Sequence, residues 1–261
     1  MQEEIKEFNP LGYKPVGKLL KSLAIPAIIA NLVNALYNVV DQIFIGQGIG
    51  YLGNAATNIA FPITTMCLAI GLTLGIGGAS NFNLELGKGY PEKSKHTAGT
   101  AASTLIIIGI ILCISVRIFL EPLMISFGAT DKILEYSMEY TGITSYGIPF
   151  LLFSIGVNPL VRADGNAKYS MIAIVIGAIL NTILDPLFMF VYNWGIAGAA
   201  WATVISQIIS ASLLLMYFPR FKSVKFSLND FIPQLHYLKR IISLGFASFI
   251  YQFSNMIVLV T

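Results

Sequence analysis

The sequence contains very little charge for its length. Only 11% of its 261 residues are Asp, Glu, Lys or Arg, whereas 56% are hydrophobic. A soluble fold cannot shield so much apolar surface from water with so few charged side chains. The composition therefore excludes a soluble globular domain and predicts a protein that crosses a membrane several times.

Cysteine, histidine and catalytic motifs are also scarce. The two cysteines, Cys67 and Cys113, lie in separate apolar stretches without the spacing of a disulfide or a metal pair. His96 and His236 fall in predicted loops, and the sequence has no H-E-x-x-H motif, no P-loop and no Ser–His arrangement. These absences argue against a membrane-embedded enzyme, and we expect neither a cofactor nor a nucleic-acid partner.

Seven charge-poor stretches are long enough to cross a bilayer, since about 20 apolar residues in a helix span the hydrocarbon core. Of the 16 Lys and Arg residues, 14 fall in the N-terminal tail and in alternate loops. The positive-inside rule then predicts a cytoplasmic N-terminus and cytoplasmic basic loops. The predicted spans are Leu19–Gly46, Asn54–Leu84, Thr97–Val116, Tyr140–Val161, Tyr169–Tyr192, Ala197–Phe218 and Ile241–Thr261.

The chain contains a weak internal repeat. Lys18–Val40 aligns without gaps to Lys239–Thr261 at an offset of 221 residues, with identities that include Asn34 and Asn255. Each repeat contains six spans, an even number, so the two copies would have the same orientation in the membrane, as in a parallel repeat. Two complete copies would occupy about 440 residues. We therefore expect the chain to be a fragment. The predicted parts are a cytoplasmic tail (1–17), a six-helix lobe (18–218), a cytoplasmic inter-lobe loop (219–240) and the first helix of a second lobe (241–261).

The first span carries a polar stripe. Asn31, Asn34, Asn38 and Asp41 follow one another at helical spacing and fall on one face. A carboxylate within a span is unfavourable by about 2.5–3.5 kcal/mol, so it normally faces a protein interior or a wet cavity. We therefore predict that Asn34 and Asn38 line a cavity near Asp41; the alternative is that Asp41 is solvated at the membrane surface.

Two later spans also present polar faces. In the fifth span Asn181 and Asp185 lie one turn apart, and Pro186 predicts an irregular backbone beside the acid. In the sixth span Thr203 and Gln207 share a face. Together with the first span they could line one pocket, although Asp185 could instead be satisfied by local amides without any functional cycle.

The sequence resembles the multidrug and toxic compound extrusion (MATE) family of antiporters. The similarity runs from about Lys18 to Thr261 and is carried by IPAIIANLVNALYNVVDQIFIGQGIG, ELGKG, NPLVRADGN, NTILDP and GIAGAAWATVISQ. Members of that family have twelve helices in two lobes around a cavity. They export cationic or amphipathic organic compounds in exchange for H⁺ or Na⁺. The resemblance thus implies an all-α, polytopic membrane helix bundle in the cytoplasmic membrane of a prokaryote.

The resemblance also implies site residues. By position, the cation-coupling site of the family falls on Asp41, Asn158, Asn181, Asp185 and Thr203. Na⁺, if it is the coupling ion, would be held at Asp41 and Asp185. A first-helix proline of the family falls on Pro26, where the helix would bend.

Two other functions stay open at this point. One is a lipid-linked saccharide flippase of the same superfamily. The apparent lack of basic residues inside the spans argues against it. The other is a non-transporting half-lobe that requires a partner, which would be the missing second lobe. Neither the coupling ion nor the exported compound can be read from the residues.

Overall fold

A computed structural model describes residues 15–260, except for the side chains of residues 253 and 255–260. Most of the predicted tail and the side chain of Asn255 therefore lie outside the described residues. Within them, all regular secondary structure is helical, which confirms the predicted all-α bundle. The α-helices are α1 (Val16–Gly48), α2 (Tyr51–Gly87), α3 (Pro91–Ile118), α4 (Leu120–Ser126), α5 (Asp131–Thr144), α6 (Ile148–Ala163), α7 (Ala167–Pro186), α8 (Gly195–Leu215) and α9 (Leu235–Val260).

Six helical stretches of the described chain are long and apolar enough to cross a membrane, and they correspond to the first six predicted spans. The predicted seventh span lies in α9, whose final side chains are not described. The helices extend beyond the predicted spans into segments expected to be loops. His96, for example, lies within α3 because that helix begins at Pro91, a favourable first position.

The approach to the fourth span differs from the sequence prediction. Two separate helices precede the predicted fourth span, which starts at Tyr140: α4 ends at Ser126 and α5 begins at Asp131. Gly128 separates them with a φ of 96°, a conformation that favours glycine and stops a helix. One 3₁₀ turn, Ser145–Gly147, then joins α5 to α6, so the helical path starts before the predicted span.

The irregular backbone predicted near Asp185 is present. α7 ends at Pro186 and continues as a π-helical turn, Leu187–Val191, before α8 begins. Proline lacks the amide hydrogen that an α-helix needs at this point, and π turns are frequent at functional sites. Asp185 is therefore held at the end of a regular helix.

α9 packs closely against α2. A Cβ atom added to Gly77 would collide with the carbonyl oxygen of Ile241, and one added to Gly245 would collide with that of Thr73. Small residues at such crossings allow two backbones to approach within van der Waals contact. At one end of this crossing Arg240 Nη2 lies 3.2 Å from Oε1 of the buried Glu85.

Residues 216–234, called here the connecting segment, fold onto the bundle rather than extending from it. Four phenylalanine rings pack in tilted and T-shaped pairs, with ring centroids 5.0–5.6 Å apart: Phe218, Phe221, Phe226 and Phe231. Asp164, in the turn between α6 and α7, accepts hydrogen bonds from the same segment. The connecting segment and the α6–α7 turn thus form one packed end of the molecule, called here the basic end.

Candidate cation site and cavity

A cavity of about 240 Å³ lies between α1, α2, α6, α7 and α8. Its wall combines aliphatic side chains, such as Leu72, Leu151 and Ile174, with polar ones. The structure places most of the predicted polar residues on the same wall. These are Asn34, Asn158, Asn181, Thr203 and Gln207.

Asn38 lies elsewhere. It is exposed, its amide donates to the Asn34 carbonyl oxygen at 2.7 Å, and it lines a separate shallow depression with Gln42 and Asn54. Successive helical residues are rotated by about 100°. Tyr37 and Asp41 lie on the inward face of α1 at this level, so the side chain of Asn38 lies on a different face. The prediction that Asn38 lines the cavity is corrected accordingly.

Asp41 and Asp185 form a buried acid pair beside the cavity. Their side chains come from α1 and α7, and their residues are only 7% and 0% exposed. The two carboxyl groups lie within hydrogen-bonding reach of each other. Two ionised carboxylates at such a distance repel strongly, so a shared proton or a bound cation is needed to neutralise them.

Amide and hydroxyl groups surround the acid pair. Asn181 Nδ2 lies 3.2 Å from Asp185 Oδ1 and 3.3 Å from Thr203 Oγ1, so it links the acid to the cavity wall. Gln42 Nε2 donates to Asp41 Oδ2 at 3.4 Å. Within the described chain, Asp41 Oδ1, Asp185 Oδ2 and Asn181 Oδ1 are buried without a hydrogen-bond partner.

These unpartnered oxygens fit a small hard cation. Buried polar atoms normally have partners, and leaving one without a partner is unfavourable by about 1–3 kcal/mol. Carboxylate and amide oxygens are the ligands that hard cations prefer, and the same carboxylates accept protons. Asp41, Asp185 and Asn181 could therefore hold either H⁺ or Na⁺.

Two tyrosines belong to this site although the sequence did not single them out. Tyr37 precedes Asp41 by one helical turn and lies near both acids. Tyr140, from α5, also lies near both acids, and its hydroxyl is within hydrogen-bonding reach of Thr203. The spacing of Tyr37 could have revealed it, whereas the position of Tyr140 depends on how α5 packs against α8.

A family comparison agrees with these features. The MatE family model matches residues 26–187 of the chain. The chain belongs to the MatE family. This match includes Asp41, Asn181 and Asp185 and ends just after the acid of α7.

Individual relatives cover the chain almost completely. The multidrug export protein MepA of Staphylococcus haemolyticus is 25% identical over 240 residues, which are 90% of this chain and 52% of that protein. An outward-facing multidrug resistance MATE family transporter of the MOP superfamily has 29% identity and a TM-score of 0.84, covering 99% of this chain and 56% of its own. A MOP superfamily transporter from Pyrococcus furiosus, whose binding pocket is described as reversed in polarity, matches at 29% identity and a TM-score of 0.84, covering 98% and 56%. The chain thus spans about half the length of these MatE relatives.

Asn158 is not part of the acid cluster of this MatE chain. Ser170 Oγ donates to Asn158 Oδ1 at 2.6 Å, and Asn158 Nδ2 donates to the Ser170 carbonyl oxygen at 3.2 Å. Ser170 and Asp185 lie 15 residues apart on α7, or about 22 Å along its axis. The structure therefore corrects the prediction that Asn158 joins Asp185 at one cation site.

The proline predicted to bend the first helix lies inside α1, is buried and lines the cavity. The helix continues through Pro26 from Val16 to Gly48. A role for Pro26 as a bend point stays a prediction.

Arg162 brings a basic side chain to the cavity. It follows the predicted fourth span, which ends at Val161, but the structure places it within α6 and on the cavity wall. The expected lack of basic residues inside the spans is therefore wrong at this position. A flippase function is no longer disfavoured on that ground.

Proposed function

We propose that this chain is part of a cation-coupled antiporter that exports lipophilic cationic drugs or toxic organic compounds. The observation that carries the proposal is the buried acid pair, Asp41 and Asp185, whose unpartnered oxygens adjoin a cavity with aliphatic side chains on its wall. Membership of the MatE family and the multidrug export relatives support it. The chain would act as a transporter without enzymatic activity or a cofactor other than the coupling ion.

The coupling would work by neutralisation. A proton or Na⁺ bound between the two carboxylates cancels their repulsion and favours one arrangement of α1 against α7. Loss of the cation favours the other arrangement. A ligand can shift such an equilibrium only by its differential affinity for the two arrangements, and a buried pair of like charges supplies that difference. Asn181 would transmit the change to the cavity through Thr203.

The proposed location is the cytoplasmic membrane of a prokaryote, with the N-terminus and the basic end in the cytoplasm. Lys168, Arg220 and Lys222 lie at the basic end, and positive residues concentrate on the cytoplasmic side of membrane proteins. The partners would be the lipid bilayer, small organic substrates and a second lobe of the kind that the longer relatives contain.

Dye efflux tests this proposal. The gene that encodes this chain is expressed in bacteria that lack their own efflux pumps, and ethidium accumulation is followed with and without an ion gradient. We expect Asp41→Asn and Asp185→Asn to abolish gradient-driven efflux, whereas Asp131→Asn, which alters an exposed acid at the start of α5, leaves it unchanged. Wild-type efflux in Asp41→Asn at equal expression would contradict the assignment.

A lipid-linked saccharide flippase is the second candidate, because Arg162 gives the cavity a positive charge suited to a pyrophosphate. Reconstitution in liposomes that contain a lipid-linked saccharide separates the two functions: a flippase moves the saccharide across the bilayer without an effect on ethidium. The half-lobe alternative is checked by size measurement in detergent, where a required partner would produce a complex larger than one chain.

A further inference from the structure

The cavity wall carries a single type of formal charge. Among the described residues that line it, Arg162 is charged and none is Asp, Glu or Lys. The acid pair lies beyond Asn181 and Thr203 rather than on the wall. The formal charge on the described part of the wall is therefore positive and lies near the end of α6, which a cationic substrate alone does not explain.

Arg162 has no partner in the described part of the chain: its partly buried side chain makes neither a hydrogen bond nor an ion pair there. The nearest acid in sequence, Asp164, cannot serve because it is fully buried and already engaged. Tyr217 Oη lies 2.7 Å from Asp164 Oδ2, and the Ser223 amide nitrogen lies 2.9 Å from Asp164 Oδ1. A partly buried guanidinium that lies on a cavity wall without an acid beside it is available to pair with an anion in that cavity.

The surroundings of Arg162 favour an anion further. α7 begins at Ala167 on the same wall. Asn166 Oδ1 accepts from the Tyr169 amide, but the amides before it have no intrahelical acceptor and carry partial positive charge. The Asn158–Ser170 pair lines the wall between them, and Leu72, Leu151 and Ile174 provide apolar surface.

We propose that Arg162, with the N-terminus of α7, binds the oxyanion head of a single-chain amphiphile, a carboxylate or a phosphate. Its hydrocarbon chain lies along the aliphatic side chains of the wall. A guanidinium presents paired donors that match such a group. The cavity volume of about 240 Å³ leaves room for a single hydrocarbon chain. This site goes beyond the proposed export of cations and does not depend on it, because it is a claim about equilibrium binding.

Binding by the purified 261-residue chain in a neutral maltoside detergent tests the site. The probes are dansyl-aminoundecanoic acid, whose head is an ionised carboxylate, and its methyl ester, whose head is neutral and larger by one methyl group. We expect the wild-type chain to prefer the acid. Arg162→Gln should weaken acid binding about tenfold, because a hydrogen-bonded ion is lost, and leave ester binding unchanged. Arg162→Lys should retain part of the preference.

Arg220→Gln is the matched control. Arg220 is an exposed arginine of the connecting segment, and it does not line the cavity. Its removal changes the net charge by the same amount as Arg162→Gln, so a general electrostatic effect would weaken acid binding in both variants. We expect Arg220→Gln to bind both probes as the wild type does.

Two competitors identify the source of the natural ligand. Displacement of the acid probe by dodecyl phosphate alone indicates a free amphiphile, and displacement by lysophosphatidylglycerol indicates a membrane lipid; either supports the site. Failure of both to compete would overturn it, and so would equal binding of acid and ester by the wild-type chain, a measurement that needs no variant. An Arg162→Gln chain that elutes as a monodisperse species and binds the acid at wild-type affinity would also overturn it.

Discussion

The α6–α7 turn and the acid pair both contain a buried aspartate, but they differ in how many hydrogen bonds its carboxylate oxygens accept. Asp164 and Asp185 are each 0% exposed. Both oxygens of Asp164 accept hydrogen bonds, from the Tyr217 hydroxyl and from the Lys222 and Ser223 amides, at 2.7–3.2 Å. Asp185 shares one amide donor with Thr203 and leaves Oδ2 without a partner in the described chain.

The contrast separates an anchor from a binding site. A buried carboxylate whose oxygens all accept hydrogen bonds has no capacity left for a ligand. A buried carboxylate that faces another acid and lacks donors is unfavourable until something positive arrives. Asp164 therefore fixes the connecting segment to the bundle, whereas Asp41 and Asp185 keep oxygens available for a cation.

Asp164→Asn tests the anchor and should have the largest effect on stability. The amide places an NH₂ group where backbone N–H groups now donate, so at least two charge-assisted hydrogen bonds are lost. We expect the free energy of unfolding to fall by about 3 kcal/mol, measured by SDS titration in mixed micelles with circular dichroism. Asp131→Asn, at an exposed acid, should change it far less. Equal unfolding midpoints for Asp164→Asn and the wild type would show that the connecting segment needs no anchor.

The acid pair should respond to cations instead. A cation that binds only the folded chain stabilises it by RT ln(1 + [L]/Kd), about 2.7 kcal/mol at a hundredfold excess over Kd. We expect the melting temperature to rise with Na⁺ at fixed pH, or with proton concentration at fixed Na⁺, and choline to have no effect. Asp41→Asn with Asp185→Asn should abolish the rise without lowering the basal melting temperature, because the replaced charges repelled each other. A response to neither ion in the wild type would remove the acid pair from consideration as a cation site.

The sequence predicted the acid pair but not the Asp164 anchor, because only local patterns can be read from a sequence. Asp41 and Asp185 stand out because each interrupts an apolar run, which is a local signal. Asp164 lies in a polar turn, where an acid is unremarkable, and its partners are more than 50 residues away. Helix positions followed from hydropathy, whereas the α4–α5 break depended on the backbone at Gly128. Tertiary pairs such as Tyr140 with Thr203 leave no trace in spacing.

Substitutions of two asparagines on the cavity wall test which polar residues take part in cation binding. Asn181→Ala removes the amide that bridges Asp185 and Thr203, so it should reduce the cation-dependent rise in melting temperature. Asn158→Ala breaks the pair with Ser170 and should lower basal stability by about 1 kcal/mol while leaving the cation response intact. Loss of the response in Asn158→Ala would restore that residue to the site and contradict the separation along α7.

Tyr140→Phe should produce the smallest change. It tests whether the hydroxyl groups of Tyr140 and Thr203 belong to the cation site. The substitution removes the hydroxyl near Thr203 while the ring stays, so basal stability should fall by about 1 kcal/mol or less. Tyr136→Phe, one turn earlier on α5, is the matched control because it removes the same hydroxyl group from the same helix. If the hydroxyl helps to orient Thr203 toward Asn181, the apparent affinity for the cation weakens in Tyr140→Phe and stays unchanged in Tyr136→Phe. Equal affinities in both variants would confine the site to the amides and carboxylates of α1 and α7.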